Sequence, residues 1–199
     1  LFVEAQSAVN KGILNKDMCL EFVQALHAEA RRKGIASNII VGNSLLSLYG
    51  KFGAISDVEN VFSALSLPDI ISWTNLLIAY VEQGQGENAV YLYKHMLKED
   101  VDLDDVILVC ILQACKVTGS LDTCKQMHFN IISAGCDQYP SLAVSLISTY
   151  GSCADTVDAE AIFNKLYISE IITWTACMTG HAEAGHSFTS LYLFEQLKL

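Results

Sequence analysis

Basic residues are scarce in this chain of 199 residues. It has 12 lysines and arginines against 22 aspartates and glutamates, which gives a formal net charge of −10. Tight sequence-independent binding of nucleic acid depends on neutralising phosphates with basic side chains, so the composition argues against it. Long apolar runs are also missing. The longest, at residues 106–112, is far shorter than the roughly 18–20 residues needed to cross a bilayer, so we expect no membrane contact.

Residues with metal-binding or catalytic spacing are missing too. The seven cysteines are odd in number and contain no Cys-x-x-Cys pair, so we expect buried thiols rather than disulfides or a metal site. His181 and Glu183 match the His-x-Glu of a zinc deaminase, but no Pro-Cys-x-x-Cys follows them. A phosphate-binding glycine loop and a nucleophile elbow are likewise missing. We therefore expect no enzyme activity, no cofactor and no small-molecule substrate.

What the sequence does contain is an internal repeat. The segment DIISWT at residues 69–74 recurs as EIITWT at residues 170–175. The same offset of 101 residues, from Trp73 to Trp174, also relates other positions without a gap; the pairs include His27 and His128, Tyr49 and Tyr150, Phe62 and Phe163, and Leu92 and Leu193. Such self-similarity is the signature of a repeat protein. Because the chain starts with Leu1 and its last repeat is short, we expect it to be a piece of a longer protein.

Apolar residues recur at three- and four-residue spacing between short glycine-rich breaks, which predicts helix, turn, helix in every unit. Such units must stack to bury their apolar faces, so the predicted fold is all-α: a superhelical α-solenoid of helix-turn-helix repeats. The first predicted helix contains Phe2 to Val9. The breaks divide the chain into a degenerate long-type repeat at 1–38, then units at 39–69, 70–104, 105–139 and 140–170, and a truncated unit at 171–199. The four complete units have lengths of 31, 35, 35 and 31 residues, which fits neither tetratricopeptide nor HEAT arrays.

The residues resemble pentatricopeptide repeat proteins, in the subclass that alternates standard, long and short repeats. Residues 41–53 are similar to the short repeat, residues 69–73 with Tyr80 and Gly84 to the standard repeat, and residues 111–128 with Gly135 to the long repeat. The resemblance implies binding of single-stranded RNA, with one repeat meeting one base. It also implies a site-selecting role in RNA editing or processing, with editing or processing factors as partners, in a mitochondrion or chloroplast.

In that family the fifth and last residues of a repeat read the base, and the second residue packs against it. The resemblance therefore implies base-reading pairs and base-packing residues at fixed positions. Asn43 with Asp69 would favour U, and Thr74 with Asp104 would favour G. The other readers would be Val109 with Tyr139, Val144 with Glu170, and Thr175; the packing residues would be Ile40, Ile71 and Ile172. The valine pairs depart from the family's polar pattern.

Two alternatives stay open. Asp69 and Asp104 are also suited to be N-caps of the following helix, and Asn43 and Thr74 to be local backbone partners. The acidic charge favours a different function, a protein- or peptide-binding solenoid like the tetratricopeptide arrays.

Overall fold

The computed structural model describes residues 16–99, 101, 103–133, 135, 139–165 and 171–197. These residues form eleven α-helices and contain no β-strand, which confirms the predicted all-α repeat fold. The helices are α1 (Lys16–Arg32), α2 (Ile39–Lys51), α3 (Ile55–Ala64), α4 (Ile70–Glu82), α5 (Gly86–Lys98), α6 (Asp105–Thr118), α7 (Leu121–Ser133), α8 (Pro140–Ser152), α9 (Thr156–Lys165), α10 (Ile171–Glu183) and α11 (Ser187–Leu197). None of these described helices is long and apolar enough to cross a membrane. The helix predicted from Phe2 to Val9 lies outside the described residues.

The helix ends follow from local sequence. The Asp69 side chain caps α4 by accepting the Ser72 N–H, and Pro140 occupies the first turn of α8, where its missing N–H costs nothing. Gly119 ends α6 with φ of 63°, a left-handed conformation that glycine adopts without steric cost. Capping residues, proline and glycine therefore place the helix ends near the breaks that the sequence predicts.

The chain forms two compact units. The first comprises residues 1–85 and 95–102, and in it α2 packs against α1, α3 and α4. The second comprises residues 86–94 and 103–199, and in it α6 packs against α7 and α8, while α8 packs against α9 and α10. In both units a first helix contacts its own partner and the first helix of the next pair: α2 contacts α3 and α4, and α8 contacts α9 and α10. This is the stacking expected of helix-turn-helix repeats.

The offset of 101 residues reappears as equivalent packing inside each unit. Trp73 packs edge-on against Phe62 with ring centroids 4.8 Å apart, and Trp174 packs against Phe163 at the same 4.8 Å. The two tryptophans, which match in sequence, therefore make the same packing contact in the two units.

The two repeated histidines also serve packing. His27 Nδ1 lies 3.1 Å from the Tyr49 hydroxyl, and His128 Nδ1 lies 2.9 Å from the Tyr150 hydroxyl. Both tyrosines are only 1% exposed, so each histidine satisfies a buried hydroxyl. These histidines therefore join the second helix of one pair to the first helix of the next.

Candidate functional site

Large aliphatic side chains are exposed at the second residue of the first helices. The exposed fractions are 74% for Ile40, 55% for Ile71 and 58% for Ile172. Val106, the second residue of α6, is 47% exposed and belongs to the same set. Val106 is not among the packing residues predicted from the sequence, although the predicted start of its unit at residue 105 places it at the second position. An aliphatic residue exposed at the same place in several repeats is suited to contact a flat apolar ligand surface.

Asn43 and Asp69 are brought together at the start of α4. Asn43 lies one turn into α2 and is half-buried; its Nδ2 donates to Asp69 Oδ1 at 3.0 Å and approaches Oδ2 at 3.2 Å. These residues are 26 positions apart in sequence, so the contact depends on the packing of α2 against α4. The side chains predicted to form one reading pair therefore do touch.

Ser72 completes this contact as a three-residue network. Its N–H donates to Asp69 Oδ1 at 2.9 Å, and its hydroxyl lies 2.6 Å from Asn43 Oδ1 and 2.9 Å from Asp69 Oδ1. The Asp69 N–H donates back to the Ser72 hydroxyl at 3.3 Å, which makes a capping box. Ser72 is not among the residues predicted from the sequence, although a serine three residues after an N-cap aspartate can complete a capping box.

The network also sets the charge of the pair. Burial raises the pKa of Asp69, but hydrogen bonds from Asn43 and Ser72 outweigh it and hold the pKa below its usual value. Asp69 is therefore a carboxylate at neutral pH, with Asn43 as one of its donors. The two sequence alternatives for Asp69 are thus compatible, because the same carboxylate caps α4 and contacts Asn43.

The two threonines at the fifth positions make local hydrogen bonds. Thr74 Oγ1 donates to the Ile70 carbonyl and Thr175 Oγ1 donates to the Ile171 carbonyl, each at 2.7 Å. Thr74 is half-buried and Thr175 is exposed. With its proton held by the backbone, each hydroxyl presents an acceptor outward.

The remaining predicted readers divide by polarity. Asp104 is exposed and caps α6 by accepting the Ile107 N–H at 2.8 Å. Val109 and Val144 are half-buried and offer no polar atom, while Tyr139 precedes α8, is 49% exposed and makes no side-chain cap bond. Glu170 lies outside the described residues.

The deaminase-like motif occupies a packing position. His181 is 2% exposed, and its Nε2 lies 3.0 Å from Glu160 Oε1 without hydrogen-bond alignment. At the equivalent place in the first unit, the Tyr80 hydroxyl donates to Glu59 at 2.7 Å. His181 therefore substitutes for a repeat tyrosine. No group of three or more His, Cys, Asp or Glu side chains in the described part of the chain is arranged to hold a metal ion.

Several of the few basic side chains are paired with carboxylates. In the second unit, Lys125 lies 3.0 Å from Asp155 and 3.4 Å from Asp158, and Lys116 lies 3.6 Å from Glu183. Such pairing lowers the positive charge that these side chains can offer to a phosphate. Lys116 and Lys125 therefore have their charges partly balanced within the second unit.

The stacked helix pairs define an α-solenoid repeat protein. A family model, "PPR repeat", matches residues 71–101, inside the predicted unit at 70–104. A putative pentatricopeptide repeat-containing protein of Arabidopsis thaliana is 33% identical over 173 residues, covering 87% of this chain and 24% of the relative. A chloroplastic pentatricopeptide repeat-containing protein of the same plant is 27% identical over 183 residues, covering 92% of this chain and 30% of the relative.

Solved structures share the fold. The pentatricopeptide repeat protein PPR10 from maize matches with a TM-score of 0.68 and 21% identity, over 92% of this chain and 27% of that protein. PPR10 in complex with an 18-nt psaJ RNA element matches with a TM-score of 0.73 and 16% identity, over 89% of this chain and 27% of that protein. The chain is therefore similar to pentatricopeptide repeat proteins in one repeat model, in its relatives and in its fold. The chain spans less than a third of these proteins' length.

Proposed function

We propose that this chain binds single-stranded RNA and selects its sequence through the fifth and last residues of its repeats. The observation that carries the proposal is the Asn43–Asp69 pair, whose side chains meet at 3.0 Å beside the start of α4. Exposed Ile40 and Ile71 are the second residues of α2 and α4 in the same unit, where they offer apolar surface to a base face. Polar edge readers together with apolar face contacts are what recognition of unstacked bases requires.

The chemistry of each pair sets its proposed base. Asn43 supplies amide donors and an acceptor and Asp69 a carboxylate, and by family resemblance this pair selects U. Thr74 and Asp104 select G by the same resemblance. Val109 and Val144 cannot form a hydrogen bond through their side chains, so their pairs with Tyr139 and Glu170 are proposed to contribute contact rather than base choice. Thr175 would read one further base.

The subclass and the cellular role belong to the same proposal. The unit lengths of 31, 35, 35 and 31 residues support the subclass that alternates standard, long and short repeats. By that resemblance the chain positions an editing or processing activity on an organellar transcript, in a chloroplast or mitochondrion. The PPR10 complex with RNA and the relatives named as chloroplastic support this role.

The test removes the Asn43 amide. Asn43→Ala should weaken binding of an RNA with U at the matching base by about 1–2 kcal/mol, the value of one good base-edge contact. It should leave binding of the RNA with C at that base nearly unchanged, because the contact is not made there. Fluorescence anisotropy with the full chain and the two RNAs measures both affinities.

Asn60→Ala provides the matched control, since Asn60 is an exposed asparagine on the second helix α3. This variant should bind both RNAs like the unchanged chain. If Asn43→Ala also binds both RNAs like the unchanged chain, Asn43 is a structural residue only. The acidic charge would then favour the peptide-binding solenoid.

A further inference from the structure

Ser72 lies against the proposed reading pair but cannot contact a ligand itself. It is the third residue of α4 and its exposure is 0%. Its hydroxyl is 2.6 Å from Asn43 Oδ1, a shorter separation than any that Asn43 makes with Asp69. Any effect of Ser72 on a base must therefore pass through Asn43 and Asp69.

The hydrogen bonds from Ser72 and to Asp69 fix which way the Asn43 amide points. Oδ1 faces the Ser72 hydroxyl, and Nδ2 faces the Asp69 carboxylate. A rotation that exchanged the two atoms would place the amide oxygen against the carboxylate, where two acceptors repel. It would also remove the nearer of the two acceptors, Asn43 Oδ1 at 2.6 Å and Asp69 Oδ1 at 2.9 Å, that the Ser72 hydroxyl proton can reach. Both neighbours therefore favour one orientation of the amide.

This orientation determines what the pair can offer to a base. One Nδ2 hydrogen is used by Asp69, and the second has no protein acceptor among the described residues. Among the described residues, Asp69 Oδ1 accepts from Asn43 and from the Ser72 N–H and lies 2.9 Å from the Ser72 hydroxyl, whereas Oδ2 is approached only by Asn43, at 3.2 Å. The pair thus offers an N–H donor beside a carboxylate acceptor.

A donor beside an acceptor matches a base edge with a carbonyl next to a ring N–H. Uracil and guanine have such a keto edge, while cytosine and adenine carry an amino group next to a ring acceptor. We propose that Ser72 is a positioning residue that holds the Asn43 amide in this orientation. The Asn43–Asp69 pair thereby prefers bases with a keto edge, uracil and guanine, over bases with an amino edge, cytosine and adenine. The inference rests on the RNA-binding function proposed above.

The experiment compares U with C at the matching base, because both are pyrimidines and differ in this edge. Ser72→Ala removes the hydroxyl, and the ratio of U to C affinity should fall about fivefold, the effect of losing one neutral hydrogen bond. Ser72→Thr keeps the hydroxyl and should keep the ratio. A threonine fits such a site, since Thr173 occupies the equivalent position of α10 at 4% exposure.

Thr173→Ala is the matched control. It makes the same truncation in the repeat that follows the unit at 140–170, whose fifth residue, Val144, has no amide to orient. It should leave the U to C ratio at the Asn43 base unchanged. Thermal unfolding of each variant, followed by circular dichroism, confirms that the assay temperature lies below the transition.

The possible results distinguish a failure of the proposed role of Ser72 from a failure of the proposed RNA binding. If the unchanged chain prefers U and Ser72→Ala keeps that preference while folded, the inference is overturned and RNA binding stands. An equal loss of preference in Thr173→Ala also overturns it, because the effect would then be general destabilisation. If the unchanged chain does not distinguish U from C, the proposed function fails, and the inference fails with it.

Discussion

Ala154 lies in a backbone conformation that suits glycine. Its φ is 59°, in the turn that joins α8 to α9. The equivalent turn between α2 and α3 has Gly53 there, with φ of 67°. The hydrogen bonds of the two turns match: the Ala154 N–H donates to Gly151 O at 3.0 Å, and the Gly53 N–H donates to Gly50 O at 2.8 Å. The second unit has therefore kept the turn while losing its glycine.

Replacing Ala154 with glycine should stabilise the chain. An L-residue in the left-handed region costs about 1–2 kcal/mol. Glycine removes that strain but adds about 0.5–1 kcal/mol of unfolded-state entropy cost. Ala154 is exposed, so its methyl group contributes little packing. The net gain should be about 0.5–1 kcal/mol, or about 1–4 °C in the melting midpoint of a chain of this size.

Urea denaturation followed by circular dichroism measures this change. Gly53→Ala is the reverse control, and it should destabilise the first unit for two reasons. It places an L-residue at a φ of 67°, and its new Cβ would lie 2.6 Å from Gln83 Oε1. An Ala154→Gly chain that unfolds at the same or a lower urea concentration would refute the strain argument. A Gly53→Ala chain of unchanged stability would refute the equivalence of the two turns.

Two further changes test packing. Burial and the charge of Arg31 lower the pKa of His27 below its ordinary value of 6.5, against an opposing effect of Asp57. As the pH falls below 6.5, the histidine is therefore protonated in the unfolded chain before it is protonated in the folded chain. The free energy of unfolding should therefore decrease as the pH falls from 6.5 to the lower pKa of His27 in the folded chain. Urea denaturation at several pH values should show a smaller decrease for His27→Gln. A His27→Gln chain with the same pH profile as the unchanged chain would contradict this explanation. Gly151→Ala should cost about 1–3 kcal/mol by overpacking, since its Cβ would contact Gly180 backbone atoms. Gly50→Ala is the control: its new Cβ would have Ala79 Cβ as nearest neighbour, at 3.4 Å, so the stability should hardly change. If both variants lose the same stability, the close approach of the Gly151 and Gly180 backbones is not the cause.

The repeat pattern predicts most of the fold because packing positions recur in it. Trp73 and Trp174 match in sequence and make the same contact with Phe62 and Phe163. Helix bounds are less predictable: α8 begins at Pro140, whereas apolar spacing alone places its start at Leu142. Polar residues in the first turn of a helix carry no apolar signal, so caps and proline define that end.

Only part of the candidate site can be predicted from the sequence. Family spacing relates Asn43 to Asp69, but the direction of the Asn43 amide depends on Ser72, which belongs to the next repeat. Apolar periodicity reads Ser72 only as a polar residue near a helix start. The strain at Ala154 is hidden in the same way, because alanine is a common residue in helical turns and only the backbone reveals the positive φ.

The acidic charge and the Asn43–Asp69–Ser72 network lead to one physical description of the site. In the proposed RNA complex, attraction to phosphates adds little to binding, because the net charge is −10 and Lys116 and Lys125 are paired with carboxylates. Base-edge hydrogen bonds and aliphatic contacts then supply a larger share of the binding free energy, and the hydrogen-bonded part of that share depends on the base sequence. An interface of this kind discriminates between bases more strongly than it binds, because mismatched RNA gains little from charge. The repeat architecture complements this, since stacked units add weak selective contacts along one strand.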